Sequence, residues 1–332
     1  MPRPNIKVPM LRYLGYASFI WAKKILGLHA NRNRKFSVWK LMKLINSGVI
    51  DKNNLSVTSM GRPDGVGAQA MAKFSTMCFA QAYNIRYVHV PFESLAHAEL
   101  PLEEWIEQWE RILNMNIENN RLDPDTMHVV GLSEYIESPP LWKKKVVVAD
   151  LHLHAFCELA PSFGTEVSKK LQIALNKEQS SSVSCSDFII GVHVRRGDVR
   201  KGDVYTNHRF TPNQHTIAIL KQVVEVVSHS GYSPQVQVHT NGSIEELADF
   251  LIFPGVQLYA CTPAIETFIA LSNSDVLISA RSDFSMLAGI YCKGIVICDP
   301  RQRTPLKEWI KVTPNHINIR EELERKLKNL SR

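Results

Sequence analysis

None of the six cysteines, at positions 78, 157, 185, 261, 292 and 298, belongs to a Cys-x-x-Cys pair, and most stand among apolar residues. That speaks against a disulfide frame and reads as buried free thiols in a reducing compartment, so a cytoplasmic protein is expected. Cysteine and histidine nowhere gather at metal-ligand spacing. His152 and His154 would share one face of a strand but lack further ligands, so no bound metal is expected. Long apolar runs are absent too. The nearest candidate, residues 8–28, is interrupted by Arg12, Lys23 and Lys24 and is too short and too charged to span a bilayer. It also lacks the ordered regions and cleavage site of a secretory signal. It reads as an amphipathic helix packed on the body of the protein. Because Tyr, Phe and Trp accompany its Lys and Arg, peripheral contact with the inner face of a membrane is the alternative. Helix-turn-helix, zinc-finger and RNA-sheet signatures are missing as well. Nucleic acid is therefore not the expected partner, in spite of a net charge of +7 and a pI near 9.0.

What is present is ordinary in bulk: 332 residues, 45% hydrophobic and 21% charged, enough for two domains and a sizeable core. The positive balance favours anionic partners such as nucleotide-sugars. Residues 1–50 read as an N-terminal helical extension with a short helix at 35–50. Apolar strands and amphipathic helices then alternate: strand 55–59, glycine-rich loop 61–67, helix 68–83, strand 86–90, helix 102–114, strands 127–131 and 145–149, and helix 164–177. The polar, serine-rich stretch Glu178–Ser186 reads as a linker. Beyond it, strands at 187–194, 235–239, 256–259, 276–279 and 295–298 alternate with helices at 212–229, 243–251, 263–273 and 284–292. Ser243 and Glu246 have the spacing of a capping box, and residues 313–332 close as a helix. This alternation predicts parallel, doubly wound sheets in two α/β domains, 51–180 and 186–312.

The second domain opens on Phe188-Ile-Ile-Gly-Val-His-Val-Arg-Arg-Gly-Asp198, an apolar strand that ends abruptly in charge. Ligands of open α/β sheets sit beyond the carboxyl ends of the strands. Arg195 and Arg196 would therefore aim guanidinium forks, suited to phosphate oxygens, into that space, with Gly197 allowing a tight turn. His193-Val-Arg-Arg-Gly-Asp198 resembles the first motif of fucosyltransferases that use GDP-fucose, notably the α1,2- and α1,6-transferring families. A second block, Ser274-Asp-Val-Leu-Ile-Ser-Ala-Arg-Ser-Asp-Phe-Ser285, is similar to the Ser-x-Ser-Ser-Phe-Ser block of the same families. The likeness covers residues 186–298 best, is weaker over 55–180, and does not extend to the first fifty residues.

The resemblance implies a GT-B-like fold, with two Rossmann-type domains facing a cleft. It implies inverting transfer of fucose from GDP-fucose to a glycan or glycolipid hydroxyl, in the making of a bacterial-type surface polysaccharide. It implies roles for residues as well. Arg195 would contact the diphosphate, with His193 and Arg196 beside it. Asp198 would hold Arg195 or face the acceptor. Asp203 would stand near the reacting sugar, one methylene shorter than the glutamate of the α1,6 enzymes. Asn241 would flank the nucleotide, and Glu266 or Thr267 lies about where the family holds guanine with a carboxylate. Ser282, Asp283, Phe284 and Ser285 would form the diphosphate loop, and Gly65, Gly67 and Gln69 would open the first domain beside the cleft. The chain departs from the pattern at Val199, where those enzymes carry lysine. It departs again at Asp283, where Ser or Thr is usual and a carboxylate beside a diphosphate is repulsive unless it points away.

The chemistry follows from these positions. A helix opened by Ser282, Asp283 and Phe284 would have free backbone N–H groups which, with the Ser282 hydroxyl, could bind a diphosphate. Arg195 opposite would stabilise GDP as it leaves, so neither a metal nor a resident cofactor is required. The proton of the attacking hydroxyl would pass to Asp203 or to Asp198. Three other readings stay open at this point. One is a transferase of the same fold with another nucleotide-sugar donor. Another is a non-catalytic nucleotide-sugar or glycan-binding protein, kept open by Val199 and Asp283. The last is a membrane-surface scaffold driven by residues 8–28.

Overall fold

The computed structural model describes residues 30–60, 63–116, 120–123, 127–149, 161–176, 188–301, 305–313 and 317–330. Residues 8–28, Gly61, His152, His154, Cys157, Cys185 and the linker Glu178–Ser186 lie outside the described residues.

The first half begins with α1 (Ala30–Asn46) and continues through β1 (Leu55–Val57), α2 (Val66–Tyr83), β2 (Arg86–Tyr87), α3 (Leu102–Leu113), β3 (His128–Gly131), α4 (Leu132–Glu137), β4 (Val146–Ala149) and α5 (Pro161–Asn176). Its sheet runs β2-β1-β4-β3 with every pairing parallel. Parallel strands covered on both faces need continuous apolar sequence, and Val146-Val-Val-Ala149 is buried at all four positions. The strand expected over 86–90 is shorter than its apolar run: only two residues pair with β1, and His89 turns away to bridge Arg121.

The second half comprises β5 (Phe188–Val194), α6 (Asn213–His229), β6 (Pro234–Thr240), β7 (Gln257–Ala260), α7 (Ala264–Ser272), β8 (Val276–Ile278), α8 (Asp283–Tyr291), β9 (Ile295–Cys298), β10 (Ile310–Lys311) and α9 (Arg320–Leu327). The sheet order is β7-β6-β5-β8-β9-β10, all parallel. Numbered from β5, that is the 3-2-1-4-5-6 order of the doubly wound nucleotide-binding fold. The helix expected over 243–251 is instead a 3-10 helix, Glu245–Ile252. Half of the predicted capping box forms, with the Ser243 N–H donating to Glu246 Oε2 at 2.9 Å. The Glu246 carbonyl, however, accepts from Asn213 Nδ2 at 2.8 Å, which diverts an acceptor from an α-helical ladder. Of the closing helix expected over 313–332, α9 covers the eight residues Arg320–Leu327 among the described ones.

One hydrophobic cluster is shared by both halves. Phe74, Trp109 and Val148 join Phe268, Leu287, Tyr291 and Trp309 in it, while a second cluster around Phe188, Val192, Val238 and Phe250 belongs to the second sheet alone. Trp109 is the hub, its ring 5.5 Å from that of Phe268 and 6.4 Å from that of Phe284. The Tyr291 hydroxyl donates to the Leu113 carbonyl at 2.5 Å. On α5, Ser168 and Gln172 reach the last carbonyls of α8, while Lys170 donates to Gln81 near the end of α2. At the other end α2 and α8 start together, because a Cβ at Gly67 would stand 2.6 Å from the Phe284 nitrogen. The two helices therefore run side by side in the same direction, and the carboxyl-edge loops of both sheets gather at their shared beginning. The Ala264 N–H, which opens α7, donates to both oxygens of Glu99 in the first half at 3.1 and 3.0 Å. Among the described residues, no helix is long and apolar enough to cross a membrane.

Candidate functional site

In a doubly wound sheet the crevice for a ligand opens where the strand order reverses. Here that is the gap between β5 and β8, registered Val192 to Ile278. The loops that leave these two strands carry Arg195 to Asp198 and Ser279 to Ser285, and the loop of neighbouring β6 carries Asn241.

The two arginines of the motif differ sharply. Arg195 keeps its fork near the surface, about a fifth of its side chain exposed, and donates from Nη2 to Asp198 Oδ2 at 2.8 Å. Arg196 is buried; it donates to the carbonyls of Arg195 (2.7 Å) and Thr211 (3.1 Å) and to Asn213 Oδ1, and its guanidinium lies 4.5 Å from the centre of the Phe210 ring. Asn241 accepts the Arg196 N–H at 3.0 Å, which ties the motif's turn to β6. Gly197 sits there at φ +69°, in the left-handed region, where a Cβ would approach Asn241 Nδ2 to 2.7 Å. His193 is buried, its ring 5.7 Å from that of Phe284. Burial first, then the charges of Arg195, His239 and Arg196, push its pKa down to about 3, so the imidazole is neutral. Val199 is buried, so the position where the fucosyltransferases carry lysine faces the core here.

The serine loop is knit to itself. Ser282 caps α8, its Oγ accepting the Phe284 N–H at 3.2 Å, and Ser285 is fully buried with its hydroxyl donating to the Ala280 carbonyl. The Phe284 N–H that the sequence left open for a diphosphate is thus engaged by Ser282, and Gly67 closes over it from the first half. Asp203 stands on the exposed tip of the β5 loop, where its Oδ1 accepts the N–H groups of Tyr205 and Thr206, both at 2.8 Å. Those bonds, that of Thr206 first, hold its carboxyl below the usual range. Glu266 is exposed in the first turn of α7, beyond β7, which lies two strands from β5. So His193, Arg195, Arg196, Asn241, Phe284 and Gly67 come together, while Glu266 and Asp203 stand apart on the rim. Gly65 caps α2 and Gln69 is buried, its Nε2 donating to the carbonyls of Asp64 and Ser94 at 2.6 Å, so both shape the first-half loop from within.

Two groups of residues escaped the sequence reading. Arg281 donates to Asp299 at 2.8 Å and to the carbonyls of His208 and Phe210 at 3.2 Å, clasping the β5 loop to the β8 loop. Asp299 is also bonded by Arg301. Arg281 was in plain sight inside the serine block, but an arginine there reads equally as a solvated charge. At the carboxyl edge of the first sheet, buried Lys73 donates to the carbonyls of Ser59 and Val90, with Glu110 and Glu93 as the carboxylates that act on it. Burial lowers its pKa to about 8. Burial also lowers the pKa of His89, so its 2.7 Å contact with Glu110 is the bond of a neutral imidazole donating from Nε2 to a carboxylate.

No protein-family model matches the sequence, and no curated protein matches it. Solved structures similar to this chain include POFUT1 in complex with GDP-fucose, at 15% identity and a TM-score of 0.38, covering 79% of this chain and 98% of that one. The E. coli heptosyltransferase WaaC with ADP has 10% identity and a TM-score of 0.40 over 83% of this chain and 99% of its own. The iron-containing dodecameric glycosyltransferase TibC from enterotoxigenic E. coli has 10% identity and a TM-score of 0.40 over 83% of this chain and 80% of its own. These likenesses are distant, and the chemistry of the site rests on its own geometry.

Proposed function

We propose that this chain is a glycosyltransferase that moves a sugar, fucose from GDP-fucose before other donors, to a hydroxyl of a glycan or glycolipid. The observation that carries the reading is the position of Arg195: a surface-reaching guanidinium at the strand reversal, on the loop that Arg281 clasps to the serine loop. The acceptor oxygen attacks the anomeric carbon from the face opposite the diphosphate. The carbon–oxygen bond to phosphate breaks, and GDP leaves with the charge that Arg195 balances.

Of the two carboxylates weighed for the proton, Asp198 suits the role better. Asp203 is held below its usual range by hydrogen bonds to its charged form, which makes it a weak base. Asp198 is paired with Arg195, and a diphosphate that draws the guanidinium away would free Asp198 to accept. Thermal-shift titration with GDP, UDP, CMP and ADP tests the donor, GDP being expected to give the largest stabilisation. Arg195→Ala should cut donor turnover at least a hundredfold while leaving the melting temperature within a few degrees, and full activity in that variant would refute the assignment.

The capped Asp203 favours a second reading, a nucleotide-sugar-binding protein without turnover. It is distinguished by GDP binding in the wild type with no donor consumed against any acceptor.

A further inference from the structure

The net charge of +7 is not spread along the chain. Of the 39 Lys and Arg, ten fall in residues 1–50, which hold none of the 32 Asp and Glu; the other 282 residues carry 29 basic against 32 acidic ones. All of the positive balance therefore lies ahead of β1, and the remainder of the chain is slightly acidic. Half of those ten cations, Arg32, Arg34, Lys35, Lys40 and Lys43, belong to α1, a helix without an acidic residue. The residues that gather at the strand reversal are on other elements, so this field needs a partner of its own.

The two faces of α1 are occupied differently. Val38, Leu41 and Ile45 are buried in the core cluster shared by both halves, and the helix packs on α4. With that stripe engaged, α1 has no apolar face left to sink into a partner. Trp39 and Lys43, one turn apart, belong to the outer face: Trp39 is 48% exposed, and Lys43 Nζ stands 3.7 Å from the centre of its ring. Lys40 is half-buried, and Val49, just past the helix, is 51% exposed. A half-exposed indole with an ammonium over it, on a helix of one charge sign, has the makeup of an interfacial anchor: tryptophan rests at headgroup depth and lysine against lipid phosphate. The residues before α1 add Arg3, Lys7, Arg12, Lys23 and Lys24 and no acid, so the positive charge continues beyond the helix. A protein partner would have to match these cations point by point, whereas a sheet of anionic headgroups meets them in any register.

We propose that the outer face of α1 is a docking surface for a lipid bilayer rich in anionic headgroups. The helix lies along the bilayer surface with Trp39 at headgroup level and Lys40 and Lys43 against lipid phosphates, while Val38, Leu41 and Ile45 keep it fixed to the body of the protein. The contact is peripheral and driven by charge, and it depends in no way on the transferase reading.

The test is cosedimentation of the whole chain with vesicles of phosphatidylcholine alone and of phosphatidylcholine mixed equally with phosphatidylglycerol. Binding to the mixed vesicles and not to the neutral ones is expected, and it should weaken as added salt screens the headgroups. Replacing both lysines, Lys40→Gln with Lys43→Gln, should lower the partition coefficient about fivefold for each charge removed. Trp39→Ala, at a half-exposed position, should weaken binding further while melting close to the wild type; Trp39→Phe serves in its place if that variant is poorly folded. Lipids brominated near the headgroup should quench the tryptophan emission of the wild type more than that of Trp39→Phe. Equal binding to the two kinds of vesicle, or undiminished binding in the lysine and tryptophan variants alike, overturns the proposal. So does retention of a single-stranded RNA by a chain that leaves the mixed vesicles unbound.

Discussion

Gly197 fixes the shape of the motif. At φ +69°, with Asn241 Nδ2 where a Cβ would go, neither the backbone nor the neighbour can accommodate a side chain cheaply. Gly197→Ala is expected to cost about 1–3 kcal/mol of stability in urea unfolding, and Asn241→Ala in the same chain should recover part of that loss. The adjacent arginines make a sharper contrast. Arg196→Ala removes donors from the carbonyls of Arg195 and Thr211 inside the protein, so it should lower stability by about 2–3 kcal/mol. Arg195→Ala should spare stability and lose ligand. A melting temperature that falls equally in both variants would contradict this division. The sequence could not separate the two: both are guanidinium groups at a strand end, and only the Phe210 ring and the start of α6, distant in sequence, turn one inward.

At the scale of elements, α2 shows what periodicity hides. Its sequence marks one stripe, with Met71, Ser75, Cys78, Phe79 and Ala82, yet almost every position from Val66 to Ala80 is buried. The helix is covered by its own sheet on one side and by α5 and α8 on others, and those partners are far along the chain. Lys73 is buried with it, 3% exposed. Because burial lowers its pKa from 10.5 to about 8, the unfolded chain holds this proton more tightly than the folded one. The resulting penalty is complete below pH 8 and is lifted as pH rises from 8 towards 10.5. The stability of the wild type relative to Lys73→Met should therefore increase across that window, by an amount on the order of 3 kcal/mol; denaturant unfolding at pH 7.5, 9 and 10.5 measures it, and a flat difference would place Lys73 in a far wetter setting. By contrast five of the six strands of the second half were legible to within two residues, since Val- and Ile-rich runs between turn signals have few other solutions; β10, only two residues long, carries no such run and was missed.

For the whole molecule, the core shared by Trp109, Phe268, Phe284 and Tyr291 joins two sheets that the sequence presents as successive units. Alternation of strands and helices gives the order of elements within each half, but no local pattern announces that α2 lies on α8. Because the largest apolar cluster crosses the junction, calorimetry should show one unfolding transition with calorimetric and van't Hoff enthalpies in agreement. Gly67→Ala, which forces the two helices apart at the Phe284 nitrogen, should lower that transition and broaden it or split it in two. Two resolved transitions in the wild type would mean that the shared core contributes little.

The close start of α2 and α8 has an electrostatic corollary. Each helix carries roughly half an elementary positive charge at its amino end, and two helices lying side by side in one direction add these macrodipoles instead of cancelling them. Gly67, lacking a side chain, lets like poles approach to backbone distance. Asp283 in the first turn of α8 offsets part of that charge, and an anion held nearby would offset more of it, drawing the two halves together as well as binding.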